Sequence, residues 1–233
     1  MSYHFSPATD SDKLHQALIG LYGQQDAADQ AVRYQKALAG LEAAFGPFEQ
    51  AALFSAPGRT EIGGNHTDHQ RGRVLAGSVN LDVIAAVAPS GDRVIRIQSE
   101  GFPMDVVDLD DLSIHEEERN SSAAIIRGIA AWFAQHGCEI QGFNAYTTSN
   151  VLKGSGLSSS AAFEVLVGNI INSLFNEDKC DAVRLAQIGQ YAENVYFGKP
   201  SGLLDQMASS VGGMVTIDFQ DNANPIVERV DFD

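Results

Sequence analysis

Three stretches of this chain concentrate side chains that do chemistry. The densest is Lys153-Gly154-Ser155-Gly156-Leu157-Ser158-Ser159-Ser160-Ala161-Ala162. Its glycines let the backbone turn tightly and approach a ligand. It leads into an apolar run at Phe163, Leu166, Val167, Ile170, Ile171 and Leu174, which is helical spacing. The N–H groups of a helix start point outward beside the positive end of the dipole, an arrangement that suits phosphate. The serine hydroxyls can bond phosphate oxygens or a magnesium ion. The stretch is not a Walker A motif, since its lysine precedes the glycines and no Gly-Lys-Ser/Thr ending follows. The competing reading is a Gly/Ser turn with a serine N-cap.

The second stretch is Pro57-Gly58-Arg59-Thr60-Glu61-Ile62-Gly63-Gly64-Asn65-His66-Thr67-Asp68-His69-Gln70-Arg71-Gly72. It is too polar and glycine-rich for core. Arg59, Asn65, His66 and Asp68 offer donors and acceptors of the kind that sugar hydroxyls pair with. The bland alternatives are a surface ion pair for Arg59, surface positions or an incidental metal pair for His66 and His69, and a turn cap for Asp68. No cysteine or third spaced histidine supports zinc. The third stretch is Gly202-Leu203-Leu204-Asp205-Gln206, where a carboxylate stands among apolar residues just after a glycine turn. Asp205 is either a cap or a carboxylate held in a cleft. Just upstream, Glu193 falls near a helix end, where negative charge opposes the dipole; it is either a metal ligand or a solvent-exposed side chain.

The elements that must position these residues follow from periodicity. Asp12 to Phe45 reads as a pair of helices ended by Gly46-Pro47. Ala51–Ala56, Val74–Val79, Leu81–Ala88, Val94–Ile97, Met104–Leu109, Phe143–Ser149, Met214–Phe219 and Ile226–Phe232 read as strands. Ala123–Phe133, Phe163–Phe175 and Asp181–Phe197 read as helices, and Glu116-Glu117-Glu118 as a solvated loop or helix start. Runs of strands precede clustered helices, which predicts an α+β fold; the absence of a strand–GxGxxG–helix unit argues against a Rossmann fold.

The 233 residues are 44% hydrophobic and carry 30 Asp+Glu against 15 Lys+Arg, a formal net charge of −15. That argues against nucleic acid or an acidic membrane surface as partner. An anionic ligand would need its own positive groups here. Only Cys138 and Cys180 occur, which suits a reducing compartment. With no signal-peptide pattern and no apolar run of membrane length, the expected location is the cytoplasm.

Taken in order, the three stretches resemble one family. Arg59 through Gly72, followed by Val74-Leu75, resembles the galactokinase signature. Gly154 through Ala162 is similar to the phosphate loop of the GHMP kinases, and Gly202 through Gln206 to the galactokinase segment that carries the catalytic aspartate. The resemblance runs from about Leu53 onward. It implies the GHMP-kinase N-terminal fold, of the type of ribosomal protein S5 domain 2, with a mostly antiparallel mixed sheet. It also implies a helical leader over 1–50, a sugar- and ATP-binding domain over 51–233, and a C-terminal domain outside this chain that completes the site. The implied activity is an ATP-dependent sugar 1-kinase acting on galactose, with Mg2+. The implied alternatives are a kinase for an N-acetylated, uronic or pentose sugar, and a non-catalytic sugar sensor.

By position, the resemblance makes Asp205 the base on the anomeric hydroxyl, with Arg59 beside it against developing charge. Asn65, His66, Thr67, Asp68 and Gly202 would line the sugar. Gly154, Ser155, Gly156, Leu157, Ser158, Ser159 and Ser160 would wrap the ATP phosphates, with Ser160 and Glu193 holding magnesium. Asn65 stands where galactokinases usually carry a glutamate that contacts the sugar's 6-hydroxyl, His69 stands where a tyrosine is usual, and Leu152-Lys153 replaces a Pro-Leu pair.

Overall fold

The computed structural model describes residues 2–5, 11–152 and 154–231. In chain order the elements are β1 (Ser2–Phe5), α1 (Ser11–Phe45), β2 (Ala51–Gly63), β3 (Arg73–Pro89), β4 (Val94–Ser99), β5 (Asp105–Asp108), α2 (Ser122–Gln135), β6 (Phe143–Ser149), α3 (Ser159–Phe175), α4 (Ala182–Tyr191), α5 (Leu204–Val211), β7 (Met214–Asp218) and β8 (Ile226–Arg229). A π-helical turn, Ala192–Phe197, continues α4. The fold is α+β, as expected. The sheet runs β1-β2-β3-β6-β4-β5, and β7 and β8 extend it from the other half of β3. Every pairing is antiparallel except β4 with β6.

Three layers result. Alternate residues of a strand face opposite sides, and here both sides are covered. Ala52, Phe54, Ala56, Val83, Ala85 and Val87 pack against α2, α3 and α4. Their neighbours Leu53, Ile84 and Ala86 pack against Leu18, Leu38 and Leu41 of α1. That is why the strand sequences read as continuous apolar runs. Gly23, at φ +81°, breaks α1 into two helical segments. The buried Asp82 ties α1 to the sheet by accepting from Tyr22, Arg33 and Ser55. A third cluster joins α5 to the far half of β3 and to β7 through Val74, Ala76, Leu204, Met207, Ala208 and Val215.

Four expectations change. The first segment of the leader is a strand rather than helix: Ser2–Phe5 pairs with Ala51–Phe54. Strand β2 does not stop at Ala56 but runs to Gly63, with register shifts at Pro57/Arg59 and Glu61/Gly63. Val74–Val79 and Leu81–Ala88 form a single strand, whose first half pairs with β7 and whose second half pairs with β6. The helix over Asp181–Phe197 changes to π-helical winding at Ala192.

Candidate active site

The site forms where the β2 extension, the glycine loop and the start of α5 meet. Arg59 reaches it from β2, between the two register shifts that bend the strand. Its guanidinium is buried. Nε donates to Asp205 Oδ1 at 2.8 Å, and Nη2 lies 2.6 Å from the same oxygen. Nη1 donates to the Gly156 carbonyl at 2.7 Å, and the Arg59 backbone N–H donates to the Leu157 carbonyl at 3.0 Å. One arginine thereby holds the aspartate and the loop together. Helix α5 is fastened to β2 a second time, nearer its C-terminal end, by Ser209 Oγ donating to the Pro57 carbonyl at 2.6 Å.

The glycine loop turns through Gly154 and Gly156, both at φ +78°, where a side chain would be strained. Ser155 pins the turn by donating to the Leu152 carbonyl at 2.6 Å. Ser158 occupies the N-cap position of α3 but does not cap it. Its backbone is left-handed, at φ +54°, and its hydroxyl donates to Asp205 Oδ2. The serine N-cap of the competing reading is therefore not formed. A capping serine would satisfy one of the first-turn N–H groups, and this one does not. Asp205, 33% exposed, is not the cap of α5, whose N-cap position is Leu203; it is gripped on one oxygen by Arg59 and on the other by Ser158. Ser160 is exposed in the first turn of α3. Lys153 lies outside the described residues.

Asp68 approaches α5 from the other side. It is buried, and its Oδ2 accepts from the Leu204 N–H at 3.0 Å. Gly202 is needed for this: a Cβ there would stand 1.8 Å from Asp68 Oδ2. Thr67 closes the preceding turn, its carbonyl accepting from the N–H groups of Gln70 and Gly72. His69 Nδ1 lies 3.3 Å from Asp68 Oδ1. Asn65 and His66 are exposed, and both have φ +51°. His66 turns to Glu61.

Glu193 is neither exposed nor in hydrogen-bond contact with Ser160. It is buried, with Lys199 Nζ 2.9 Å from Oε1 and with Ser201 and Gln206 donating to Oε2 at 2.6 and 2.9 Å. Gln206 also donates to Glu164 Oε2 at 2.8 Å. Burial, and after it the charge of Glu193, pushes the Glu164 carboxyl up to about 8. Sequence reading missed Glu61, Glu164, Lys199 and Gln206. The signal for Gln206 was its place beside Asp205.

Among the described residues, no three His, Cys, Asp or Glu side chains converge on a metal-sized site. The donors near α3 and α5 are all oxygen, which fits magnesium, an ion commonly held by one or two carboxylates with substrate phosphates and water. Glu164 Oε1 and Gln206 Oε1 are buried with no hydrogen-bond partner. Glu193 Oε1 is paired with Lys199, whose side chain is 60% exposed.

Comparison with known proteins gives the family. The family described as GHMP kinases N terminal domain matches residues 123–213, and the galactokinase galactose-binding signature matches residues 41–89. The chain belongs to the GHMP kinase family. Within that family its sequence is similar to galactokinases. The galactokinase of Lactobacillus helveticus is 37% identical over 163 residues, 69% of this chain and 42% of that protein. The galactokinase of Bacillus subtilis (strain 168) is 34% identical over 172 residues, 72% of this chain and 43% of that protein. Among solved structures, Lactococcus lactis galactokinase complexed with galactose superimposes with a TM-score of 0.75 at 29% identity, covering 83% of this chain and 50% of that one. Mevalonate kinase of Methanococcus jannaschii shares the fold, with a TM-score of 0.63 at 15% identity, over 77% of this chain and 56% of that one. The chain thus spans about two fifths of the length of its curated relatives. Among the described residues, no helix is long and apolar enough to cross a membrane.

Proposed function

We propose that this chain carries the sugar- and nucleotide-binding half of an ATP-dependent kinase that phosphorylates the anomeric hydroxyl of galactose. The observation that carries the reading is the Arg59 fork, which joins the glycine loop to the carboxylate of Asp205. A phosphate seated on the first turn of α3 would lie beside that carboxylate. A sugar held by Asp68, Asn65, His66 and Thr67, against the backbone of Gly202, would bring its hydroxyl to it. Asp205 takes the hydroxyl proton as the sugar oxygen bonds to the γ-phosphorus and the bond from phosphorus to the ADP oxygen breaks. Arg59 offsets charge that gathers on the reacting oxygens. In such a transfer most of the rate comes from positioning and charge neutralisation. Magnesium, held by Ser160 and Glu193 with phosphate oxygens, would supply part of that neutralisation. The rest of the relatives' length would supply a C-terminal domain that completes the site. The free thiols Cys138 and Cys180 fit a cytoplasmic enzyme.

The test is mass spectrometry of sugar phosphates formed by the full-length protein with Mg-ATP and a panel of free sugars. Galactose 1-phosphate is expected. Asp205→Asn should lower turnover by about 10²–10⁴-fold while ATP still binds. Near-normal turnover in Asp205→Asn removes Asp205 from the chemistry. Product from another sugar and none from galactose would favour a second reading, for which the observation is Asn65 at the rim of the sugar site.

A further inference from the structure

Strand β2 brings a second charged side chain to the face that carries Arg59. Residues two apart on a strand face the same way, and the pairing with β3 is regular from Arg59 to Glu61. Glu61 therefore follows Arg59 toward the sugar side of the site. Its carboxylate is 12% exposed and is spent entirely on one residue. Oε1 accepts from the His66 backbone N–H at 2.8 Å, and Oε2 lies 3.0 Å from His66 Nε2. Between them the chain passes through Gly64, Asn65 and His66 at φ +121°, +51° and +51°. Two consecutive left-handed residues other than glycine persist only where the surroundings hold them. Glu61 is what holds this turn. The imidazole it grips is 58% exposed.

We propose that Glu61 is a positioning residue for the acceptor sugar, acting through His66; this rests on the sugar-kinase reading of the site. A carboxylate only accepts, so His66 Nε2 must carry the proton that faces Glu61. Neutral His66 then offers a bare Nδ1 as acceptor for a sugar hydroxyl. The carboxylate selects the tautomer, and the tautomer selects a donor hydroxyl at that place on the ring. In this chain Asn65, which can both donate and accept, stands next to it. The rim of the sugar site therefore reads one hydroxyl as donor through His66 and leaves its neighbour less restricted.

Glu61→Gln tests this in the full-length protein. The glutamine oxygen still accepts from the His66 N–H, so the turn is kept. Its amide must donate into Nε2, which moves the imidazole proton to Nδ1. The expected result is a rise of about tenfold in the sugar KM, with kcat and the KM for ATP within about twofold, and a reversed His66 tautomer by 15N NMR. A wild-type His66 that carries its proton on Nδ1 overturns the proposal. So does an unchanged sugar KM in a variant whose tautomer has reversed, and so does a loss that falls on kcat alone. The NMR arm needs no sugar. If the wild type phosphorylates none of the panel, the kinase reading fails separately, and the tautomer still decides whether Glu61 sets His66.

Discussion

Replacing Arg59 with lysine asks whether one side chain couples the loop to the aspartate. The charge is kept and the fork is lost. Arg59 uses Nε and Nη2 on Asp205 and Nη1 on the Gly156 carbonyl, in two directions. A lysine Nζ serves one of these at a time. If it follows Asp205, the Gly156 carbonyl loses its partner; Gly156 is exposed, so water takes the place of the guanidinium there and the cost is that of an ordinary hydrogen bond, about 0.5–1.5 kcal/mol. The ion pair itself adds less, because Asp205 is one-third exposed and solvent screens it. The expected loss of stability is therefore about 1 kcal/mol, read from urea unfolding. The catalytic loss should exceed that of stability. Removing one preorganised donor from developing charge costs about 10²–10³-fold in kcat, and the loop that Arg59 holds should bind ATP more weakly as well. Steady-state kinetics and ATP titration on the same preparation give both. A normal kcat beside a loss of about 1 kcal/mol would make Arg59 a strut with no part in the chemistry. Unchanged stability would mean that the fork is not formed in solution.

Two further substitutions probe the groups around α5. Glu164 sits at about 8 against an ordinary 4.5, because burial and the Glu193 charge disfavour its ionised form. Between these values the folded protein keeps a proton that the unfolded chain has released, so stability falls as pH rises, by about 1.4 kcal/mol per unit at most, and levels off above about 8. Glu164→Gln should flatten that slope in urea unfolding of metal-free protein between pH 5 and 8; an equal slope in both proteins would place the proton elsewhere. Gly202→Ala forces a methyl against the Asp68 carboxylate and breaks its bond to the Leu204 N–H. Calorimetry and sugar KM should show a loss of about 1–3 kcal/mol and weaker sugar binding, and a neutral outcome in both would mean that Asp68 has room to move.

How far the sequence could be read depended on whether each residue's role is local. Strand β6 matches its expected bounds, Phe143–Ser149, because alternation over seven residues is a local pattern. The course of β2 past Ala56 was not legible. Pro57, Gly58 and the polar residues after them look like a loop, and only pairing with Leu75–Ser78, absent from any local window, keeps them extended. The same limit decided the site. The three stretches could be found by composition and spacing, and their union at Asp205 could be expected from the resemblance. That the Ser158 hydroxyl leaves its cap for Asp205 depends on a contact 47 residues away. Glu164 was hidden for another reason. Helix α3 is buried almost all round, from Ala161 to Asn172, so its apolar spacing defines no outer face on which a carboxylate would look misplaced. Glu61 was read only as one residue of a polar stretch. Its effect lies in the turn it holds, and the backbone angles that give that turn its strain cannot be seen in residue types. In this chain, then, residue types mark where the chemistry is, while the side chains that aim it act through partners fixed only once β2, α3 and α5 have packed.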